Sequence, residues 1–176
     1  DTMGHVIGTM TATLEDDPWH RYFKVPEWLQ QLVEKGALGQ KAGAGIYRKQ
    51  GRKITVLDLA QGDYRESNSE LDPEVQALLK ERNPAKKLAG LRNHQHPQAQ
   101  FLWSIFRDLF HYCAYYLSDI ADSARELDQA IRWGYGWKQG PFEIWQAAGW
   151  QQVAEWIAED IAAGKTMSDA PLPAWV

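Results

Sequence analysis

The stretch PQAQFLWSIFRDLFHYCAYYLSDI, residues 97–120, decides the fold class. Leu102, Ile105, Phe106, Leu109, Cys113, Tyr116, Leu117 and Ile120 recur there in steps of three and four. That spacing lines them along one stripe of a long α-helix, and such a stripe needs other elements to pack against.

Downstream, the pattern stays helical. Ser123 and Glu126 stand three apart before Leu127, Ala130 and Ile131, the spacing of a capping box. GYGWKQGPFEIWQAAGW (134–150) reads as a glycine-rich corner that opens a further helix, with Pro141 in its first turn. Gly134, Gly136, Gly140 and Pro141 turn the chain, and Phe142 and Trp145 are expected in the core. Glu143 sits near the helix start, where the helix dipole favours a negative charge. Val153, Ile157 and Ile161 define a last helix. The closing DAPLPAWV carries two prolines and is read as an extended connection.

Upstream, Val75, Leu78 and Leu79 mark a short helix ending near Asn83-Pro84. AQGDYRESNSELDP (60–73) is polar and rich in turn formers, so it is read as a linker or surface loop. Ile46 and Tyr47 begin a strand, KQGR turns, and KITVLDL (53–59) alternates with β-branched residues, which together predict one small β-hairpin. In VPEWLQQLVEKGALG (25–39), Pro26 opens a helix carrying Trp28, Leu29, Leu32 and Val33, and Gly36 and Gly39 stop it. DTMGHVIGTM has no initiator methionine and reads like the inside of a helix, so the sequence is expected to begin within a domain.

Composition narrows the classes. Nine tryptophans in 176 residues supply large aromatic mass for a core. A net charge of −4 argues against nucleic acid as a main partner. No apolar run reaches membrane-span length. A single cysteine, Cys113, permits no internal disulfide and fits a reducing compartment, so a cytoplasmic location is expected.

Two blocks carry a family likeness. LGQKAGAGIYR (38–48) resembles the G-x-K-x-G-x-G-[FI]-Y signature of the C-terminal helical domain of 3-hydroxyacyl-CoA dehydrogenases. ELDQAIRWGYGWKQGPFEIWQAAGW (126–150) resembles the GPFE block of the same domain. In a single-copy member the GPFE block comes first; here it comes second, which implies an internal repeat. The resemblance therefore implies a mainly α, helical 3-hydroxyacyl-CoA dehydrogenase C-terminal-domain-like bundle with one small β-hairpin. Residues 1–48 would be the tail of a first copy, 49–70 the hairpin and linker, and 71–176 a second, degenerate copy with a connecting tail.

The resemblance also implies a function. The intact enzyme would use NAD to oxidise L-3-hydroxyacyl-CoA to 3-ketoacyl-CoA in fatty-acid β-oxidation. Its catalytic His and Glu and its NAD site belong to an N-terminal Rossmann domain, and no G-x-G-x-x-G opens this sequence. These 176 residues alone are thus expected to be inactive and to bind no cofactor. The terminal PLPAWV resembles the joint to a fused enoyl-CoA hydratase domain in multifunctional members of the family. Expected partners are those two domains, the acyl-CoA substrate, and a second copy or a neighbouring domain. A non-catalytic helical assembly module and an acyl-CoA binding module stay open as alternatives.

Candidate residues follow from this likeness. Lys41, Gly43, Gly45 and Tyr47 are expected near the acyl-CoA path, with exposed amides and a lysine to attract phosphate. The competing reading is structural: the glycines allow a tight crossing of chain against helix and Lys41 caps helix carbonyls. The substrate-contacting asparagine of the family's N-R-L pattern falls near Trp103, where this sequence has Trp-Ser, so the second copy is read as structural. His94 and His96 lack a third ligand for a metal. Lys86, Lys87 and Arg92 form a basic cluster that can meet a CoA phosphate or simply face solvent. His111 is two residues from Cys113, the wrong side of a helix for a catalytic pair.

Overall fold

The computed structural model describes residues 2–67 and 70–176, which separate into two compact units, 1–70 and 71–176.

In the first unit, α1 (Thr2–Thr13) and α2 (Glu27–Glu34) precede a small sheet. The helical reading of DTMGHVIGTM is borne out, yet α1 buries none of its side chains. α2 ends as the glycine predicts. Gly36 takes a left-handed φ of 70°, its N–H donates to the Val33 carbonyl, and the Ala37 N–H reaches back to the Leu32 carbonyl. The sheet has three antiparallel strands in sequence order: β1 (Tyr47–Gln50), β2 (Lys53–Asp58) and β3 (Asp63–Glu66). Lys49 pairs with Ile54 across the first hairpin, and Leu57 with Tyr64 across the second. Gly51 occupies the first central position of the β1–β2 turn at φ 62°, the pattern of a type II′ turn. β3 corrects the linker reading of residues 60–73. Asp58 Oδ1 accepts the Ala60 and Gln61 N–H groups, which folds the chain back. The polar DYRE is then held mainly by backbone pairing, which has no hydrophobic signature. The core of this unit is thin, with Trp19, Leu32 and Thr55 its main buried side chains.

The second unit is helical throughout: α3 (Pro73–Lys80), α4 (Pro84–Asn93), α5 (Pro97–Ile120), α6 (Ala124–Tyr135), α7 (Pro141–Ala147) and α8 (Trp150–Ala162). The mainly α class is borne out. Asn83-Pro84 does end one helix, but it also starts another. Asn83 Oδ1 accepts the Lys86 N–H at 3.0 Å and Pro84 fills the first helical position, so α4 runs on and buries Leu88 and Leu91. At α6 the expected capping box is not made, since the glutamate reaches one residue before the cap. The Ser123 side chain caps nothing, while Glu126 accepts from the Asp122 N–H at 3.0 Å.

α5 spans the expected residues but is rotated. Its fully buried side is Ala99, Trp103, Arg107, Phe110, His111, Cys113 and Ala114, whereas Ile105 and Ile120 are 45% and 63% exposed. Burying Arg107 is tolerable because it is paired. Its Nη1 lies 3.3 Å from Asp160 Oδ2 and its Nη2 2.8 Å from Asp108 Oδ2. The Trp103 indole donates to the same Asp160 oxygen at 2.8 Å, and Arg92 approaches Asp160 from α4 at 3.8 Å. One buried carboxylate on α8 thus ties α4, α5 and α8 together.

A second knot is aromatic. Trp145 and Trp150 stack with ring centroids 4.1 Å apart, with Phe110 5.4 Å from Trp145 on α5. The tail after α8 is irregular, as its prolines predict, and it docks on the helices. Trp175 lies 5.9 Å from Trp150, the Trp150 indole donates to the Val176 carbonyl, and His111 Nε2 bonds the Ala170 carbonyl at 2.8 Å. Thr166 and Ser168 are buried.

Candidate functional site

The glycine stretch of the first unit forms a closed loop over its own chain. Gly39 (φ 122°) donates to the Ala44 carbonyl at 2.7 Å, residues 40–42 make one 3₁₀ turn, and Gly43 returns at φ 80°. Gly45 then crosses directly over Gly39. A Cβ on Gly45 would lie 2.8 Å from the Gly39 Cα and 3.0 Å from its nitrogen, so only glycine fits without movement. The chain passes next into β1 rather than a helix, so the loop is not a P-loop. Tyr64 on β3 donates its hydroxyl to the Gly45 carbonyl, and the Arg48 guanidinium lies 4.0 Å over the Tyr64 ring. The tight crossing is therefore chain against chain, not chain against helix.

Beside this loop opens a cleft of about 1800 Å³. Leu29, Leu32, Leu38, Ile46 and Ile54 give it an apolar floor, and Arg48, Lys49 and Arg52 stand on its edge. Gly43, Gly45 and Tyr47 line it; Lys41 does not. Lys41 is exposed on the 3₁₀ turn and makes no hydrogen bond or ion pair to a described residue, so the expected capping of helix carbonyls is not seen. The structure thus gathers three of the four expected residues at one cleft. It adds Arg48, Lys49 and Arg52, which the sequence reading treated only as strand and turn. The signal for them was three cations within five residues flanking a Gly turn.

In the second unit the GPFE corner is closed on itself. Asp128, buried on α6, accepts the Phe142 and Glu143 N–H groups at 2.8 and 3.0 Å. Glu143 Oε2 accepts the Gly140 N–H at 2.7 Å, and its Oε1 pairs with Arg132 at 3.1 Å. Burial pushes the Asp128 carboxyl above its ordinary value, with the two amide bonds acting against that. The amides that open α7 are thus already taken by side chains of this chain. No glycine-to-helix junction with open amides remains there for a dinucleotide pyrophosphate, and the Gly39–Gly45 loop opens a strand.

The remaining candidates lie in the second unit. Trp103 donates its indole N–H to Asp160 and Ser104 its hydroxyl to the Phe101 carbonyl. His94 and His96 lie in the α4–α5 connection. His94 Nε2 bonds Glu74 at 2.9 Å and its Nδ1 accepts the His96 N–H. Among the described residues no group of three or more His, Cys, Asp or Glu is placed to hold a metal. The basic cluster is divided: Arg92 pairs with Glu159 at 2.5 Å and leans on Trp156, while Lys86 and Lys87 remain at the start of α4. Cys113 is buried, and burial pushes its thiol up to about 12. His111 is driven the other way, its imidazole held below the ordinary value by burial.

The chain is 32% identical over 176 residues, its whole length, to a Bacillus subtilis protein described as "Probable 3-hydroxyacyl-CoA dehydrogenase". It is 25% identical over 164 residues to a Rickettsia felis protein described as "Putative fatty acid oxidation complex trifunctional enzyme". A Rickettsia prowazekii protein of the same description is 22% identical over 166 residues. The chain spans about a fifth of the length of these relatives (21%, 21% and 22%). No family model matches it, and no solved structure matches it significantly. The resemblance read in the two sequence blocks is borne out: the chain is related along its length to part of 3-hydroxyacyl-CoA dehydrogenases. Among the described residues no helix is long and apolar enough to cross a membrane.

Proposed function

We propose that this chain is a helical part of an NAD-dependent 3-hydroxyacyl-CoA dehydrogenase of fatty-acid β-oxidation. The intact enzyme oxidises L-3-hydroxyacyl-CoA to 3-ketoacyl-CoA, with NAD taking the hydride. The general base and the dinucleotide site lie outside these 176 residues. Relatedness over the whole chain to a protein of that description is the observation that carries this reading. The GPFE corner supports it from the other side, since the carboxylates that look reactive there are already bound to backbone amides. Residues 1–48 and 71–176 are one and a half copies of a helical module. The enzyme works in the cytoplasm, and these residues pack against its other domains.

Within this chain, the acyl-CoA contact is the first-unit cleft, with Gly43, Gly45 and Tyr47 in its wall and Lys41 just outside. The apolar floor suits an acyl chain. Calorimetric titration of decanoyl-CoA into the 176-residue chain tests this: micromolar binding, lost in Gly45→Leu, is expected. Absence of binding refutes the cleft reading and favours a purely structural role. Mixing the chain with NAD and an L-3-hydroxyacyl-CoA should give no NADH absorbance; turnover would overturn the placement of the chemistry elsewhere.

A further inference from the structure

The charges of the small sheet are sorted by position. On β2 and β3, Lys53 pairs with Glu66 and Arg65 pairs with Asp58 at 3.1 Å, so these two acidic residues are matched by cations of the sheet itself. At the β1–β2 turn no such matching occurs. Lys49 and Arg52 form no ion pair with any described residue, and both line the cleft edge. Arg48, the neighbour of Lys49 on β1, points to the opposite face, where its guanidinium lies over the Tyr64 ring. Lys49 stands directly across from Ile54, an apolar cleft residue that is 60% exposed. Side chains on one strand pair share a face, so the cations begin where the apolar wall ends. A cleft with an apolar floor and an unneutralised cationic lip suits an amphiphile with an anionic head, and favours guanidinium–phosphate pairing at the lip.

We infer that Lys49 and Arg52 form an anion subsite that holds the phosphates of the acyl-CoA whose acyl chain occupies the cleft. This rests on the cleft reading above and names the part of the ligand that reading leaves unplaced. The glycine loop and Tyr47 then bound the thioester end, while the type II′ turn presents the cations toward the nucleotide end.

The test compares decanoyl-CoA with S-decanoyl pantetheine, which keeps the thioester and carries no phosphate, on the 176-residue chain. In Lys49→Glu/Arg52→Glu, decanoyl-CoA should bind about tenfold or more weakly, as expected for losing several partly screened charge contacts. Pantetheine-ester binding should stay within about twofold. The neutral Lys49→Gln/Arg52→Gln variant should show an intermediate loss, which separates lost attraction from a misfolded sheet. Raising salt should weaken decanoyl-CoA binding alone. Unchanged decanoyl-CoA affinity in both variants overturns the subsite and leaves the cleft standing. Equal loss for both ligands overturns the subsite as well. No binding of either ligand to the parent chain overturns the cleft reading and the subsite with it.

Discussion

Replacing Gly140 by alanine should split the α6–α7 corner, and the structure sets the size of the effect. The backbone there is ordinary (φ −80°, ψ 171°), so an alanine meets no conformational strain. The obstacle is space. A Cβ at Gly140 would lie 2.3 Å from Asp128 Oδ1 and 2.4 Å from the Asp128 Cβ and Cγ. Non-bonded carbons settle at about 3.5–4.0 Å, so more than 1 Å must open. The carboxylate can rotate aside, but only by releasing the Phe142 and Glu143 amides. The Asp128 Cβ cannot rotate, because it is fixed to α6. Overpacking of this kind costs about 1–3 kcal/mol, and loss of a helix cap costs about 0.5–2 kcal/mol more. Gly140→Ala should therefore destabilise the second unit by roughly 2–4 kcal/mol. Urea unfolding followed by tryptophan fluorescence reads it, since Trp145 of α7 stacks on Trp150 of α8. Asp128→Ala should cost about 1 kcal/mol, the cap alone. The double variant should cost less than the sum, because the carboxylate clash is gone while the Cβ contact stays. A Gly140→Ala loss within about 0.5 kcal/mol of zero, or strict additivity, would refute the steric argument.

Two further outcomes concern the interior of α5. His111 is buried and titrates below its ordinary value of 6.5, chiefly from burial, with Arg107 adding to the shift and the Ala170 bond and Asp108 opposing it. The unfolded chain therefore takes up this proton at a higher pH than the folded chain, so stability rises with pH across the window. The contribution is complete above pH 6.5 and is lost as pH falls through the lower folded value. Urea midpoints should decline on acidification below 6.5 and the decline should flatten in His111→Gln; parallel curves for both proteins would exclude His111 as the cause. Cys113, with its thiol raised to about 12 by burial, should resist Ellman's reagent at pH 8 in the native chain and react promptly in urea. Rapid native labelling would show that α5 opens far more readily than its packing implies.

Much of the second unit was legible because its elements announce themselves by period and cap. α5 ran over the expected residues, and Phe142 and Trp145 entered the core as read from GPFE. What failed has local physical causes. The stripe on α5 was rotated because apolar count ignores pairing. Trp103, Arg107 and His111 go inside on account of Asp160 and the Ala170 carbonyl, partners 50 or more residues away in the chain. α4 was missed because Asn83-Pro84 is both a stop and a start. β3 was missed because DYRE is stabilised by backbone pairing to β2 and a polar strand has no apolar alternation to detect. The tail was legible as extended, but the docking of Trp175 against Trp150 depends on a surface assembled by α7 and α8.

The same distinction bears on where chemistry can reside. In the second unit the groups that a catalytic reading would choose are engaged: Asp128 and Glu143 by amides, Asp160 by Trp103 and Arg107, His111 by the tail. Each lies in the interior or at a helix junction, where an unpartnered charge would be costly, so engagement is what folding requires of them. A group fixed in this way has its lone pairs and protons committed and cannot serve a substrate without the corner opening. The β1–β2 turn of the first unit has the opposite character. Its cations sit on exposed backbone, where leaving them unpaired costs little, beside apolar side chains that stay in contact with water. Unmatched charge next to unmatched apolar surface is the arrangement an amphiphile relieves on both counts at once. That contrast is why the acyl-CoA contact proposed above is assigned to the first unit, whose cleft pairs exposed cations with exposed apolar side chains.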